Sequence, residues 1–184
     1  MFHHVVSFRR SLVLILCTIL FLETQADSDI CKICTCYSLT TSVNCANRNL
    51  QSIPQPIPTN VEYLRLGNNN IATIKEGAFT GLSNLKELYL SYNKISRIEK
   101  EMFQGLHNLE KLVLGTNNIA TIKEGAFTGL SNLNYLVLGA NNIATIKEGA
   151  FTGLSNLNYL YLSYNKISRI EKEMFQGLHN LEKL

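Results

Sequence analysis

The segment NNIATIKEGAFTGLSN, residues 69–84, occurs again without a substitution at residues 117–132 and 141–156. A related segment, NKISRIEKEMFQGLHN, occurs twice, at residues 93–108 and 165–180. The eight residues before each copy of the first segment differ, reading VEYLRLGN, LEKLVLGT and LNYLVLGA. Each repeating unit therefore has a variable half and a constant half, and the order of the constant halves indicates duplication of whole units.

The repeating unit is 24 residues long and has a fixed apolar pattern. Complete units begin at Val61, Leu85, Leu109, Leu133 and Leu157, and a sixth begins at Leu181. The second unit reads L-x-x-L-x-L-x-x-N-x-I-x-x-I-x-x-x-x-F-x-x-L. This pattern at this period is the signature of leucine-rich repeats, in which each unit buries its apolar face against the next. It predicts the α/β class and a leucine-rich repeat solenoid with a curved, parallel, concave sheet.

The variable half of each unit alternates apolar and polar residues, which predicts a short strand. In the second unit this alternation directs Leu88 and Leu90 inward and Glu87 and Tyr89 outward. An Asn follows every strand, and we expect its amide to bond backbone groups at the turn that the strands no longer pair. The Phe that recurs in every constant half, such as Phe103, is predicted to stack in the core and to have no binding role.

The outward residues of the variable halves form the predicted ligand-binding surface, here called the concave face. Seven of the eight Tyr residues occupy these positions. Tyr offers a large contact area and a hydroxyl at a small cost in side-chain entropy, so recognition surfaces favour it. The alternative is that Tyr simply suits an exposed strand. The predicted ligand-binding residues are Tyr63, Arg65, Tyr89, Tyr92, Lys111, Tyr135, Tyr159, Tyr161 and Tyr164.

Residues 1–26 are predicted to be a signal peptide. Two arginines precede an uncharged, almost wholly apolar run at residues 11–22, and Ala26 offers a small residue for cleavage. A run of this length suits a signal-peptide core, whereas a membrane span needs about 20 residues; an uncleaved signal anchor is the alternative. We expect residues 27–60 to form a cysteine-rich cap. Residues 61–184 are then five repeats and a truncated sixth.

Four cysteines remain after the predicted cleavage, all within CKICTCYSLTTSVNC at residues 31–45. An even number at this density in a secreted chain indicates two disulfides, and the sequence alone allows three pairings. Zinc is the weaker alternative, because the C-x-C spacing and the lack of a nearby His make a poor tetrahedral site. We expect neither a metal nor a cofactor.

The cysteine segment, followed by ANRNLQSIPQPIPTNVEYLRLGNNNI at residues 46–71, resembles the N-terminal cap and first repeat of extracellular leucine-rich repeat proteins. Slit-like, Toll-like, small-proteoglycan and lamprey variable-lymphocyte-receptor ectodomains share this cap. The resemblance implies that Cys31 pairs with Cys36 and Cys34 with Cys45. The cap spacing C-x2-C-x-C-x8-C differs from the spacing usual in lamprey receptors. The chain ends at LEKL without a C-terminal cysteine cap, so we expect it to be a fragment.

The concave face and the resemblance favour an extracellular recognition module that binds a protein or glycan ligand. The alternative is a structural protein of the extracellular matrix or of cell adhesion. We expect a secreted chain, or one on the extracellular face of the cell surface, with no membrane span in this stretch. The net charge of +3 is too small to indicate a nucleic-acid partner. The chain has no HExxH, GxSxG or phosphate-loop motif, so we expect that it is not an enzyme.

Overall fold

The variable half of every complete unit forms one short strand, as its alternating pattern predicts. The computed structural model describes residues 30–170 and 173–184, so the predicted signal peptide lies outside the described residues. Residues 30–33 are helical. Within the two described ranges, no helix has the length and apolar character needed to cross a membrane. The strands are β1 Thr35–Tyr37, β2 Ser42–Asn44, β3 Tyr63–Arg65, β4 Glu87–Tyr89, β5 Lys111–Val113, β6 Thr121–Ile122, β7 Tyr135–Val137, β8 Thr145–Ile146 and β9 Tyr159–Tyr161.

Seven of these strands form one sheet that runs from the cap into the fifth unit, in the order β1-β2-β3-β4-β5-β7-β9. The β1–β2 pair is antiparallel, and each later neighbouring pair is parallel. The register advances by one unit per strand, so that Leu64 pairs with Leu88 and Leu88 with Leu112. The constant period therefore produces one strand per turn of the chain. This confirms the predicted leucine-rich repeat solenoid and its parallel sheet.

The constant halves return from one strand to the next mainly through turns. Two of them pair as a small parallel sheet of β6 and β8, in which Ile122 pairs with Ile146. In the turn that follows, Gly125 and Gly149 have φ of +65° and +68°. Glycine adopts this left-handed conformation without steric cost, which suits the constant KEG sequence to this turn.

The inward residues of the strands and return segments form one continuous apolar core. Leu88, Leu112 and Leu136 have no exposed surface. Beneath the return segments lies a column of stacked rings, and it confirms the prediction that the recurring Phe are core residues. The column comprises Phe79, Phe103, Phe127, Phe151 and Phe175, whose successive ring centroids are 6.1, 6.2, 5.9 and 6.2 Å apart.

The Asn that follows each strand bonds the backbone of two successive units, as predicted. Asn117 is 6% exposed, and its Nδ2 donates to the carbonyl oxygens of Leu90 and Leu114, both at 3.0 Å. Its Oδ1 accepts from the backbone N–H of Ile95 at 3.0 Å. Equivalent Nδ2 bonds to two successive units are made by Asn93, Asn141 and Asn165, and Asn69 bonds the cap and the first unit. These five Asn residues are called the inner Asn ladder.

A second set of Asn side chains, at the end of each constant half, links the units on the exposed side. In the third unit, Asn132 Nδ2 donates to the carbonyl oxygen of His107 at 2.8 Å. Asn84, Asn108, Asn156 and Asn180 each make the equivalent bond to the preceding turn. The sequence analysis did not predict these bonds, which give a physical reason why both constant segments end in Asn.

Two disulfides close the cap, and they join Cys31 to Cys36 and Cys34 to Cys45. The pairing that the resemblance implied is confirmed. Cys45 has no exposed surface, and its neighbour Val43 is equally buried beside the first unit. The cap therefore covers the first repeat and continues the sheet through the β2–β3 pair, so β3 is not an unpaired edge.

Candidate functional site

The concave face contains two rows of outward side chains that run across the strands. The strand register aligns the first row, Tyr63, Glu87, Lys111, Tyr135 and Tyr159. It also aligns the second row, Arg65, Tyr89, Val113, Val137 and Tyr161. The Leu between the two outward residues of each strand is fully buried, so these rows form the open surface of the sheet.

Cations and aromatic rings alternate across the first four of these strands. The guanidinium carbon of Arg65 lies 5.5 Å from the ring centroid of Tyr89, and Lys111 Nζ lies 5.6 Å from the same centroid. Lys111 Nζ is also 4.8 Å from the ring centroid of Tyr135. Such contacts stabilise an exposed cation over a ring by about 0.5–1 kcal/mol each, so they hold these side chains in place.

Three Tyr rings meet on the last two strands. The centroid of Tyr135 is 5.5 Å from that of Tyr159 and 5.3 Å from that of Tyr161, with the planes tilted by 40° in both pairs. A hydrogen bond with Tyr161 and partial desolvation raise the pKa of the Tyr135 hydroxyl above its ordinary value. Lys183 Nζ lies 5.6 Å from the Tyr159 centroid. These rings and cations together are called the Tyr–cation cluster, which consists of Arg65, Tyr89, Lys111, Tyr135, Tyr159, Tyr161 and Lys183.

The hydroxyl of Tyr89 donates a hydrogen bond to the carboxylate of Glu87 on the same strand. Desolvation and this hydrogen bond raise the pKa of Tyr89 from 10.0 to about 12. Both residues face outward because they are two positions apart in a strand. The neutral phenol therefore keeps its proton, and its orientation on the concave face is set by Glu87.

We expect the Glu87→Gln variant to lower the pKa of Tyr89 from about 12 toward 10.0. The pKa is higher in the folded chain, so the associated stability is complete below about pH 10 and is lost as the pH rises through about 12. A pH titration of the Tyr Cζ resonances measures this pKa, with Tyr89→Phe to assign the signal. An unchanged Tyr89 pKa in Glu87→Gln would show that the hydrogen bond does not contribute.

The polar groups that precede the strands bond one another across the sheet. Lys86 Nζ lies 2.8 Å from Glu62 Oε2, and this hydrogen bond raises the pKa of Lys86. Asn134 Nδ2 donates to Asn158 Oδ1, and Asn158 Nδ2 donates to Glu182 Oε1, both at 3.0 Å. These polar groups are hydrogen-bonded to one another. The rings of the Tyr–cation cluster are therefore the larger groups of the face that a ligand can contact.

Tyr92 and Tyr164 do not lie on the strands. Each is three residues beyond the end of its strand, in a turn with φ of +56° and +57°. The two side chains are 63% and 89% exposed. The strands are three residues long and end before these positions, so both Tyr lie in the turns that follow, and their role in ligand binding stays a prediction. The other seven predicted ligand-binding residues lie on β3, β4, β5, β7 and β9.

Two residues of the concave face were missed by the sequence analysis. Tyr37 of β1 pairs with Ser42, which pairs with Tyr63, so the cap contributes a further Tyr to the first row. Lys183 of the truncated sixth unit forms an isolated parallel β-bridge with Tyr159 of the fifth unit. The signal for Lys183 was present, because LEKL at residues 181–184 repeats the LEKL that contains Lys111.

Comparison with known proteins places the repeats in one family. A family model described as Leucine rich repeat matches residues 59–119, 107–157 and 132–184. The solved structure of a TLR13–ssRNA13 complex aligns with a TM-score of 0.69 and 38% identity, over 72% of this chain and 19% of that chain.

Curated relatives match over shorter stretches. Immunoglobulin superfamily member 10 of Mus musculus is 42% identical over 77 residues, which are 41% of this chain and 3% of that protein. Leucine-rich repeat-containing protein 4 of Homo sapiens is 37% identical over 75 residues, which are 40% of this chain and 12% of that protein. Epiphycan of Gallus gallus is 39% identical over 64 residues, which are 35% of this chain and 19% of that protein. This chain spans a small part of each relative. The matched repeats, the one-strand turns and the cysteine cap together show that the chain belongs to the leucine-rich repeat family.

Proposed function

We propose that this chain is an extracellular recognition module that binds a protein or glycan ligand on its concave face. The observation that carries the proposal is the Tyr–cation cluster, in which rings on neighbouring strands contact one another and contact Arg65, Lys111 and Lys183. Strand propensity accounts for Tyr on a strand, but it does not account for cations held over the rings. Tyr and Arg held in place by neighbours are the residues that most often dominate binding energy.

The small net charge of +3 favours a protein or glycan over a nucleic acid. On the face itself Lys86 is paired with Glu62, whereas Arg65 and Lys111 keep their charge over the rings. A polyanion is bound mainly by cations that neutralise its phosphates. The TLR13 structure is of a complex with ssRNA13, so single-stranded RNA belongs among the ligands to be tested. The two disulfides support a secreted chain or one on the extracellular face of the cell surface.

We expect the double variant Lys111→Ala, Tyr135→Ala to bind its ligand at least about tenfold more weakly, because it removes the centre of the Tyr–cation cluster. The free energy of unfolding falls by about 1–3 kcal/mol, because two cation–ring contacts and two ring–ring contacts are lost, so circular dichroism is used to confirm that the variant is folded. The measurement is biolayer interferometry of the chain against a panel of purified extracellular domains, a glycan array and single-stranded RNA.

Lys147→Ala is the matched control, because Lys147 is exposed on a return segment. It leaves every binding signal unchanged. If the ligands found in the panel bind the double variant as tightly as the unchanged chain, the concave face is not the binding surface and the proposal fails.

A structural role in the extracellular matrix is the second candidate function. Similarity to epiphycan, 39% identical over 64 residues, favours it. This role predicts co-sedimentation with matrix fibres that does not depend on the Tyr–cation cluster. Sedimentation of the chain with fibrillar collagen, compared between the unchanged chain and the double variant, separates the two functions.

A further inference from the structure

Charged residues of both signs are concentrated on the first three units of the concave face. The stretches that end in strands β3, β4 and β5 read VEYLR, LKELY and LEKLV at residues 61–65, 85–89 and 109–113, and each holds one acidic and one basic residue. The equivalent stretches of the fourth and fifth units, LNYLV and LNYLY, hold no charged residue. The three charged strands are neighbours in the sheet, and their outward residues are here called the mixed-charge surface.

The carboxylates of the mixed-charge surface already have partners within the chain. Glu62 forms the ion pair with Lys86, and Glu62 and Glu110 both raise the pKa of Lys86, the hydrogen bond to Glu62 most strongly. Glu87 lies opposite Lys111 in the strand register, but its carboxylate accepts the hydrogen bond from the Tyr89 hydroxyl. The negative charges therefore act mainly on Lys86 and on Tyr89.

Arg65 and Lys111 are the two cations of this surface that have no carboxylate partner. Across residues 30–170 and 173–184, neither side chain takes part in an ion pair. Arg65 is exposed and Lys111 is half-buried, and each lies over the ring of Tyr89 on the strand between them. A ring restrains a cation without neutralising it, so two positive charges are held in place where a ligand can reach them.

The mixture of signs selects among anionic ligands. A sulfated glycan or a nucleic acid carries negative charge along its whole length, so one that reached Arg65 and Lys111 would also meet the carboxylates of Glu62, Glu87 and Glu110. Like charges that meet in an interface oppose binding. A protein segment has no such constraint, because it can place one carboxylate at each cation and uncharged residues at the carboxylates. The surface therefore favours isolated carboxylates over a polyanion.

The spacing of the two cations limits the spacing of the carboxylates. The charged groups of Arg65 and Lys111 lie 5.5 and 5.6 Å from the same Tyr89 centroid. They are therefore no more than about 11 Å apart, which an extended segment covers in about three residues. We propose that the mixed-charge surface binds a segment of a partner protein in which two Asp or Glu residues, separated by uncharged residues, pair with Arg65 and Lys111. This proposal rests on the proposed function and specifies the ligand of the same face.

Selection from a phage-displayed library of random linear peptides, with the full chain as bait, tests the proposal. We expect the enriched peptides to contain Asp or Glu flanked by uncharged residues. Lys111→Gln weakens their binding at least about tenfold, because it removes the charge and keeps most of the side chain. The Lys111→Glu chain, used as a second bait, selects peptides with Lys or Arg in place of one acidic residue. Lys147→Glu, on an exposed return segment, selects the original peptides.

A double-mutant cycle identifies the contact. Replacing the acidic residue of a selected peptide by its amide weakens binding to the unchanged chain, but has little further effect on binding to Lys111→Gln, which circular dichroism shows to be folded.

Peptides that are lost in Lys111→Ala, Tyr135→Ala but contain no acidic residue, or bind Lys111→Gln normally, would overturn this inference and leave the proposed function standing. A library that yields no acidic peptide also overturns it, as does tighter, Lys111-dependent binding of heparin or single-stranded RNA. Peptides that bind every concave variant as tightly as the unchanged chain would contradict both proposals.

Discussion

Phe127→Ala is expected to lower the free energy of unfolding by about 3–5 kcal/mol. Phe127 has no exposed surface and stacks between Phe103 at 6.2 Å and Phe151 at 5.9 Å. Its removal leaves a cavity in the middle of the ring column. The neighbouring rings cannot move in to fill it, because each is held in its own unit by the backbone of the return segment. Urea unfolding followed by circular dichroism measures the change.

Phe175→Ala is the matched comparison for this prediction. Phe175 occupies the same position of its unit and stacks on Phe151, but it is only partly buried. We expect its loss to cost clearly less than the loss of Phe127, since less apolar surface is removed from the core. Thr128→Ala, at an exposed site beside Phe127, reports any effect on the return segment itself. Equal costs at Phe127 and Phe175 would mean that the column does not act as a continuous core.

Asn117→Ala is expected to lower the free energy of unfolding by about 3–5 kcal/mol. The two carbonyl oxygens that Asn117 bonds each also accept a hydrogen bond from a neighbouring Asn, so they retain one partner. The backbone N–H of Ile95 loses the acceptor Oδ1 of Asn117, which lies 3.0 Å away. An unsatisfied buried N–H costs about 1–3 kcal/mol, and the two lost carbonyl bonds add about 1 kcal/mol each.

Asn118→Ala is the control, because Asn118 is the exposed neighbour of Asn117 and has the same side chain. Its stability stays within about 0.5 kcal/mol of the unchanged chain. Asn117→Asp tests the acceptor and the donor of the amide separately. It keeps an oxygen that accepts from the N–H of Ile95, but it replaces the NH2 group that donates to two carbonyl oxygens with a second oxygen. Relative to the other buried amides of the same unit, hydrogen exchange at Ile95 increases in Asn117→Ala and not in Asn117→Asp. A selective increase at Ile95 in both variants would contradict the assigned bond.

The repeats, the core and the inner Asn ladder could be predicted because each depends on a pattern that recurs in every unit. A constant period of 24 residues places Leu88 beside Leu64 and Leu112 without any further information. Outward and inward positions follow from the alternation of a strand. The disulfide pairing needed the family resemblance, because four cysteines within one short segment do not specify their partners.

Features that depend on where the backbone turns could not be predicted. The alternation in LYLSYN continues past Tyr89, but the strand ends there and the chain enters a left-handed turn at Tyr92. Tyr37 joins the concave face because an antiparallel hairpin in the cap continues the sheet, and that hairpin lies outside the repeating pattern.

The inner Asn ladder also limits how the gene of this protein changes in length. Asn117 bonds carbonyl groups 3 and 27 residues before it and an N–H 22 residues before it. Inserting or deleting one complete unit preserves these separations everywhere, whereas a single inserted residue within a unit breaks the match at that turn. Unequal recombination between copies of the constant segment adds or removes whole units and is therefore tolerated by the fold. Because the return segments repeat without a substitution in the protein, the number of units is expected to vary among alleles more readily than the length of one unit.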